Sequence, residues 1–101
     1  MPTAYVTAPP DAADDIATTL VEERLAACVN RVPCRSTYRW DEEVVEAETE
    51  AVLLAKTTAG RFDALRDRVV ELHPHDVPCV ERFDESDVLD PYAEWLDGSV
   101  S

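Results

Sequence analysis

Apolar residues recur at helical spacing in a first segment that begins after Pro9-Pro10. Asp11 follows this pair and is a candidate N-cap, because its carboxylate can accept hydrogen bonds from the first amides of a helix. The positions between the apolar residues are largely acidic, as on a solvated helix face, and the approach to Pro33 marks the predicted end near Asn30. The apolar stripe of this helix comprises Ile16, Leu20, Val21, Leu25 and Cys28.

Helical spacing returns in two later segments. Thr57 and Thr58 are candidate caps of a second helix, which must stop near His73 because Pro74 pushes the preceding residue out of the α region. A terminal helix is predicted from Asp90-Pro91 to Gly98. The apolar positions are Phe62, Leu65, Val69 and Leu72 in the second helix, and Tyr92, Trp95 and Leu96 in the terminal one.

The segments between the helices are typical of strands. Ala4–Ala8 and Val80–Phe83 are short β-prone runs, and Cys34–Trp40 with Val44-Val45 predicts a hairpin. The turn of this hairpin falls within Asp41–Glu43. Its register is not specified by the sequence, because neither glycine nor asparagine supplies a residue that readily adopts positive φ.

The order of the predicted elements is β-α-β-β-α-β with a C-terminal helix, which is the ferredoxin-like arrangement of the α+β class. A chain of 101 residues fits a single domain over positions 1–101. Both main helices would lie on one face of the sheet. The run Ala51–Ala55 has no polar alternation, so its strand should be covered on both faces. We therefore expect subunits to associate through the open face.

The charge balance limits the possible partners. The 22 acidic and nine basic residues give a formal net charge of −13, which repels nucleic acid and anionic membrane surfaces. A hydrophobic content of 46% nevertheless predicts a folded chain. Because salt screens this self-repulsion, a salt-rich, halophilic cytoplasm is expected, and the melting temperature should rise with molar salt.

Cysteine usage and the absence of targeting signals predict a cytoplasmic location. Cys28, Cys34 and Cys79 are odd in number and lack short paired spacings, which disfavours a disulfide framework. The N-terminus shows no secretory signal, and no apolar run approaches the ~20 residues that span a bilayer.

The candidate chemistry lies in one stretch, Glu71–Cys79, which contains both histidines. His73, His75 and Cys79 offer imidazole and thiolate donors for Cu(II) or another divalent metal, with Asp76 beside them. The favoured alternative is structural: His73 would interact with the last helical carbonyls, and Cys79 would pack as a small hydrophobe.

The remaining cysteines and aromatic residues allow other interpretations. Cys28 is expected in the core of the first helix, and Cys34 is an exposed thiol that could bind a soft metal or none. Four aromatic residues are expected to pack at an interface, and a small-molecule cleft is the less favoured alternative: Tyr38, Trp40, Tyr92 and Trp95. With only two glycines, no phosphate-binding glycine loop or nucleophile elbow is present, so no catalysis is predicted.

Family-like motifs stand at Leu20–Asn30, Ser36–Trp40, Val52–Thr57, Glu71–Pro74 with Val77-Pro78, and Tyr92–Leu96. Together these segments resemble the CutA divalent-cation tolerance proteins. The resemblance implies a ferredoxin-like subunit, a homotrimer with strands joined across subunits, and a role in metal response, copper being the metal most often invoked. This chain departs from the family pattern at Glu42-Glu43, where Gly-Lys is common, and at His75, Asp76 and Cys79, where tyrosine and two glutamates are usual.

The resemblance and the residues together predict a trimeric metal-tolerance protein that acts by binding or sensing a divalent ion. Two alternatives remain at this point. One is a trimer in the style of the PII proteins, which share the subunit topology, sensing a small metabolite at subunit clefts. The other is an acidic scaffold for a protein partner.

Overall fold

The computed structural model describes residues 1–101, the whole chain. Its elements follow the predicted β-α-β-β-α-β order with a C-terminal helix, and the α+β, ferredoxin-like prediction is confirmed. The strands are Pro2–Ala8 (β1), Cys28–Trp40 (β2), Glu43–Lys56 (β3) and Val80–Asp84 (β4), and the helices are Pro10–Glu22 (α1), Phe62–Leu72 (α2) and Asp90–Ser99 (α3).

The four strands form one antiparallel sheet in the order β2-β3-β1-β4, with α1 and α2 packed on one face. Alternate residues of β1 and β3 point into this layer, as the two-residue period of a strand requires. The fully buried side chains of the core include Val6, Ile16, Leu20, Leu53, Leu65 and Val69. None of the three helices is long and apolar enough to span a bilayer.

Helix α1 ends at Glu22, eight residues before the predicted limit, and Cys28 begins β2 instead of lying on the helix stripe. The reason is a Schellman-type turn: Arg24 N–H donates to the Val21 carbonyl, and Leu25 N–H donates to the Leu20 carbonyl. Arg24 has a φ of 61°, in the left-handed region that glycine usually occupies at this position. Leu25 thus reaches the core from a turn, although its spacing from Leu20 and Val21 in the sequence is that of a helix.

The predicted caps are also wrong in detail. None of the three helices has a side-chain hydrogen bond at its N-cap. The N-cap residues of α1, α2 and α3 are Pro9, Arg61 and Leu89. Asp11 and Asp90 lie within the first turns of α1 and α3, where negative charge favours the helix dipole. Thr57 is fully buried, and its hydroxyl donates to the Leu25 carbonyl at 2.7 Å, which fixes the turn after α1.

The β2–β3 hairpin is longer than predicted, because β2 begins at Cys28 instead of Cys34 and β3 is already paired at Glu43, opposite Trp40. Only Asp41 and Glu42 remain in the turn, with φ values of 50° and 68°. Two successive positive φ values are the requirement of a type I′ turn, which favours Asn-Gly. The turn therefore forms without its preferred residues, which is why its register could not be predicted.

We predict that Glu42→Gly stabilises the protein by about 0.5 to 1 kcal/mol, because glycine removes the steric cost of positive φ. Glu46→Gly is the matched control: Glu46 is also an exposed glutamate of the hairpin, but it lies in β3 without positive φ. There, glycine should lower the free energy of unfolding by a similar amount. Urea unfolding of both variants at equal protein concentration measures the difference, and equal destabilisation would contradict the turn assignment.

A β-bulge interrupts the hairpin near Cys34. Between two paired positions, β3 advances three residues, from Ala47 to Glu50, while β2 advances two, from Ser36 to Cys34. A bulge bends the strand pair and increases its twist. The alternation of β2 nevertheless keeps Cys34, Ser36 and the following even-numbered residues on one face.

The sheet face opposite α1 and α2 is called the open face below. Register places Tyr5, Leu54 and Asn30 in one row on this face and Thr7, Val52 and Val32 in the next. Val32 and Phe83 are 46% and 47% exposed there. Within one subunit, Ala51, Leu53 and Ala55 are buried under the helices while Val52 and Leu54 on the open face are half-buried. The predicted cover of this second face by another subunit stays a prediction.

Candidate ligand groove

A groove of about 550 Å³ lies on the open face, between the β2–β3 hairpin and the loop from α2 to β4. The bulged hairpin forms one side of it. We call the two sides the hairpin wall and the loop wall. The hairpin wall consists of Ser36, Tyr38, Trp40, Val45 and Glu50; the loop wall consists of His75, Asp76, Val77 and Cys79; and Thr7 of β1 lies between them.

His73 fixes the start of the loop wall. Its ring Nε2 lies 2.8 Å from the Thr7 carbonyl oxygen, and because a carbonyl only accepts, Nε2 carries the proton and donates. Its Nδ1 accepts the His75 backbone N–H at 3.0 Å. Both ring nitrogens are thus engaged, and His73 is only 8% exposed. The predicted interaction of the His73 side chain with helix-end carbonyls is wrong, because the ring donates to the Thr7 carbonyl of β1 instead.

His75 and Asp76 project from the loop wall as exposed side chains. The His75 ring lies 4.9 Å from the His73 ring, measured between centroids and tilted by 58°. The His75 amide is held by His73, while no hydrogen bond from protein engages the His75 ring in the structure. His75 is therefore the histidine that can reach a ligand in the groove.

Cys79 contributes a thiol to the loop wall. Burial raises the pKa of this thiol, and the Glu81 carboxylate, whose Oε2 lies 3.5 Å from Sγ, raises it further. The thiol is consequently protonated at neutral pH. Since a metal binds the thiolate, metal binding at Cys79 would release a proton and strengthen as the pH rises.

The pKa of Tyr5 reflects the charged groups on the open face beside the groove. Its pKa is raised by burial first, and then by Cys79, Cys34, Glu81 and Glu50, since thiols and carboxyls are both ionised at the alkaline pH where a tyrosine titrates. Cys34, Glu50 and Glu81 belong to β2, β3 and β4, and Cys79 immediately precedes β4, so the sheet brings all four groups around one phenol ring. At neutral pH, where the Cys79 thiol is protonated, the negative charge of the open face around Tyr5 comes from Glu50 and Glu81.

The arginines of β2 lie on the other side of the sheet. Arg31, Arg35 and Arg39 occupy the odd positions of the strand, whereas the hairpin wall uses even ones. Arg31 confirms this direction, since its Nη1 binds Asp14 of α1 at 3.0 Å. No lysine or arginine lines the groove, so nothing there compensates for its carboxylates.

The structure brings His75 and Cys79 to one groove but leaves His73 behind it. No three His, Cys, Asp or Glu side chains lie close enough to hold a metal ion within the subunit. Metal binding by His73, His75 and Cys79 thus stays a prediction, and the structure does not form it as a complete ligand set. Cys34 is half-buried on the open face, and Cys28 lies near Tyr92, whose pKa is raised by burial and then by Cys28.

Sequence reasoning missed Glu50, Thr7 and Val45 as groove residues. Glu50 is one of many carboxylates, and only its register opposite Cys34 distinguishes it. Thr7 is identified by its place between the two walls. A strand alignment that included the bulge would have found both, because they share the open face with Cys34.

Comparison with known proteins agrees with this architecture. A family profile described as "CutA1 divalent ion tolerance protein" matches residues 3–99. The chain belongs to the CutA family. A divalent-cation tolerance protein CutA from Thermus thermophilus is 48% identical over 87 residues, covering 85% of this chain and 84% of the relative. Its counterpart in Pyrococcus horikoshii is 38% identical over 93 residues, covering 91% and 90%.

Solved CutA structures superimpose over nearly all of the chain. The Thermus thermophilus protein has a TM-score of 0.94 at 43% identity, with complete coverage of both chains. A "PII-like protein CutA" from Nostoc sp. has a TM-score of 0.96 at 32% identity, covering 100% of this chain and 98% of its own. The predicted resemblance is therefore confirmed. The CutA description names tolerance to divalent ions and no chemical reaction.

Proposed function

We propose that this CutA protein is a homotrimeric, non-catalytic binding protein in the response to divalent cations, with copper as the principal metal. One observation supports the proposal: the groove on the open face offers imidazole, thiol and carboxylate donors, and no lysine or arginine lines it. Such a set attracts cations and suits Cu(II) or Zn(II). The protein would act by sequestering or sensing the ion.

Association through the open face supports this function. Val32, Phe83 and half-buried Val52 and Leu54 form an apolar area on the side of the sheet opposite α1 and α2, which favours burial against another subunit. Strands β2 and β4 are the two unpaired edges of the sheet. Pairing one edge with the opposite edge of a neighbour is a heterologous contact, and it closes into a ring when the rotation is three-fold.

The ligand set would then be completed between subunits. One subunit presents His75 and Cys79 in its groove, which is fewer than the three protein ligands that metal sites commonly use. A carboxylate or thiol of the adjoining subunit would supply the remainder. His73 would serve as a support for the loop wall and not as a ligand, because both its nitrogens are engaged.

Sensing of a small metabolite is the second candidate, and the groove size favours it. A volume of about 550 Å³ exceeds what a single ion needs and lies within the ~300–1,000 Å³ of ligand pockets. The structural likeness to a PII-like CutA protein points in the same direction. Metal and metabolite sensing differ in which compounds stabilise the fold.

A thermal-shift screen at constant high salt tests the two candidates. Cu(II) at a concentration of 100 Kd should stabilise the native state by ~2.7 kcal/mol through mass action. His75→Ala/Cys79→Ser should lose this shift, while Cys28→Ser, which leaves the groove intact, should keep it. Stabilisation by nucleotides or organic acids without a metal response would support metabolite sensing instead. A response to neither class would contradict both.

A further inference from the structure

We propose that Arg24 is a latch for helix α3, and that the chain keeps a strained backbone at this residue because the arginine holds the C-terminal end of α3 against the subunit. Arg24 follows α1 at the turn position where glycine is usual. Its φ of 61° is unfavourable for a residue with a side chain, and glycine would relieve that cost. The presence of arginine is explained by what its side chain binds.

Two hydrogen bonds join Arg24 to the end of α3. Its Nη2 donates to the Gly98 carbonyl oxygen at 3.2 Å, and its own carbonyl accepts the Ser101 backbone N–H, also at 3.2 Å. No further hydrogen bond joins α3 to another helix or to a strand. The apolar attachment of the same segment comes from Leu96, which is fully buried, and Val100, which is 8% exposed. Arg24 is thus the polar half of the attachment.

The ends of α1 and α3 give the positive charge of Arg24 a second role. Neither helix has a basic residue in its last turn, and Glu22 and Asp97 place carboxylates there instead. The C-terminal end of a helix carries a partial negative charge, which a cation offsets and a carboxylate reinforces. Arg24 brings a guanidinium directly after α1 and against the last turn of α3. Glycine at this position would supply neither the charge nor the donor.

The latch gives α3 a local stability that is separate from that of the sheet. A helix fastened by one arginine and two apolar side chains can detach while β1 and β3 stay paired. Such detachment would displace Tyr92 and Trp95, whose ring centroids lie 5.5 Å apart on α3. Both hydrogen bonds of Arg24 lie within one subunit, so the argument does not depend on which surfaces a neighbouring subunit covers.

Hydrogen exchange of the assembled protein tests the latch in Arg24→Gly. The amides of α3 should exchange about fivefold or more faster than in the wild type, because the charged hydrogen bond to Gly98 is lost. The amides of Val6 and Leu53, in the core of the sheet, should exchange no faster, because glycine relieves the strained turn. Arg66→Ala is the matched control: this exposed arginine binds only carboxylates of its own helix, so α3 should be unaffected.

Arg24→Ala separates the side chain from the backbone. It loses the latch but keeps a side chain at positive φ, so its α3 amides should exchange as fast as in Arg24→Gly. Its core amides should exchange about threefold or more faster than those of the glycine variant. Unchanged exchange of α3 in Arg24→Gly would overturn the proposal, by showing that other contacts hold the helix. Equal acceleration of α3 and the core in that variant would also overturn it, because the arginine would then support the whole fold.

Discussion

Val32→Glu is expected to separate the assembled protein into single subunits. Val32 lies on the open face in the row with Thr7 and Val52, and it is 46% exposed in the isolated subunit. In a closed trimer, three such glutamates would face one another or apolar surface. Each uncompensated charge would cost about 3 to 5 kcal/mol, enough to reverse association at micromolar concentration. Light scattering at high salt should give the mass of one 11.2 kDa subunit.

Val70→Glu is the matched control for this experiment. Val70 is 49% exposed, nearly the same as Val32, but it lies on α2, on the opposite side of the sheet. The same substitution there should leave the mass unchanged and alter the free energy of unfolding by no more than ~0.5 kcal/mol. A trimer that tolerates Val32→Glu as well as Val70→Glu would place the contact elsewhere than on the open face.

His73→Ala is expected to destabilise the protein by about 2 to 4 kcal/mol. The substitution removes two hydrogen bonds, each worth roughly 0.5 to 1.5 kcal/mol, and leaves the Thr7 carbonyl and the His75 amide without their partner. It also opens a space where a side chain only 8% exposed had packed. Urea unfolding gives the loss in stability, and hydrogen exchange should show that the His75 amide loses its protection.

His75→Ala provides the comparison, because His75 lies in the same loop as His73 but is exposed. Its truncation should change stability by ~0.5 kcal/mol or less. A His73→Ala variant as stable as His75→Ala would show that the hydrogen bonds to β1 do not hold the loop wall.

Much of the fold could be predicted from periodicity alone. The core residues of α2 recur at Phe62, Leu65 and Val69, and the prolines at 74 and 78 correctly separate helix from strand. The end of α1 could not be predicted in this way. Leu25 continues the spacing of Leu20, but a left-handed Arg24 places it in a turn, and no glycine marks that turn. Cys28 was assigned to the wrong element for the same reason.

The candidate site was only partly predictable, because a groove depends on register and curvature. His75 and Cys79 stand close together in the sequence and do line one wall. The opposite wall comes from a hairpin whose direction depends on a bulge near Cys34, and no residue type in the sequence predicts that bulge. The engagement of both nitrogens of His73 was equally hidden, since its partner Thr7 is 66 residues away.

We propose that the groove of the open face binds a divalent cation through His75 and Cys79. Calorimetric titration of Cu(II) into the assembled protein at high salt tests it most directly, with His75→Ala/Cys79→Ser beside the wild type. We predict saturable binding that weakens at least tenfold, about 1.4 kcal/mol, in the double variant. Cu(II) binding of equal affinity in both proteins would contradict the claim.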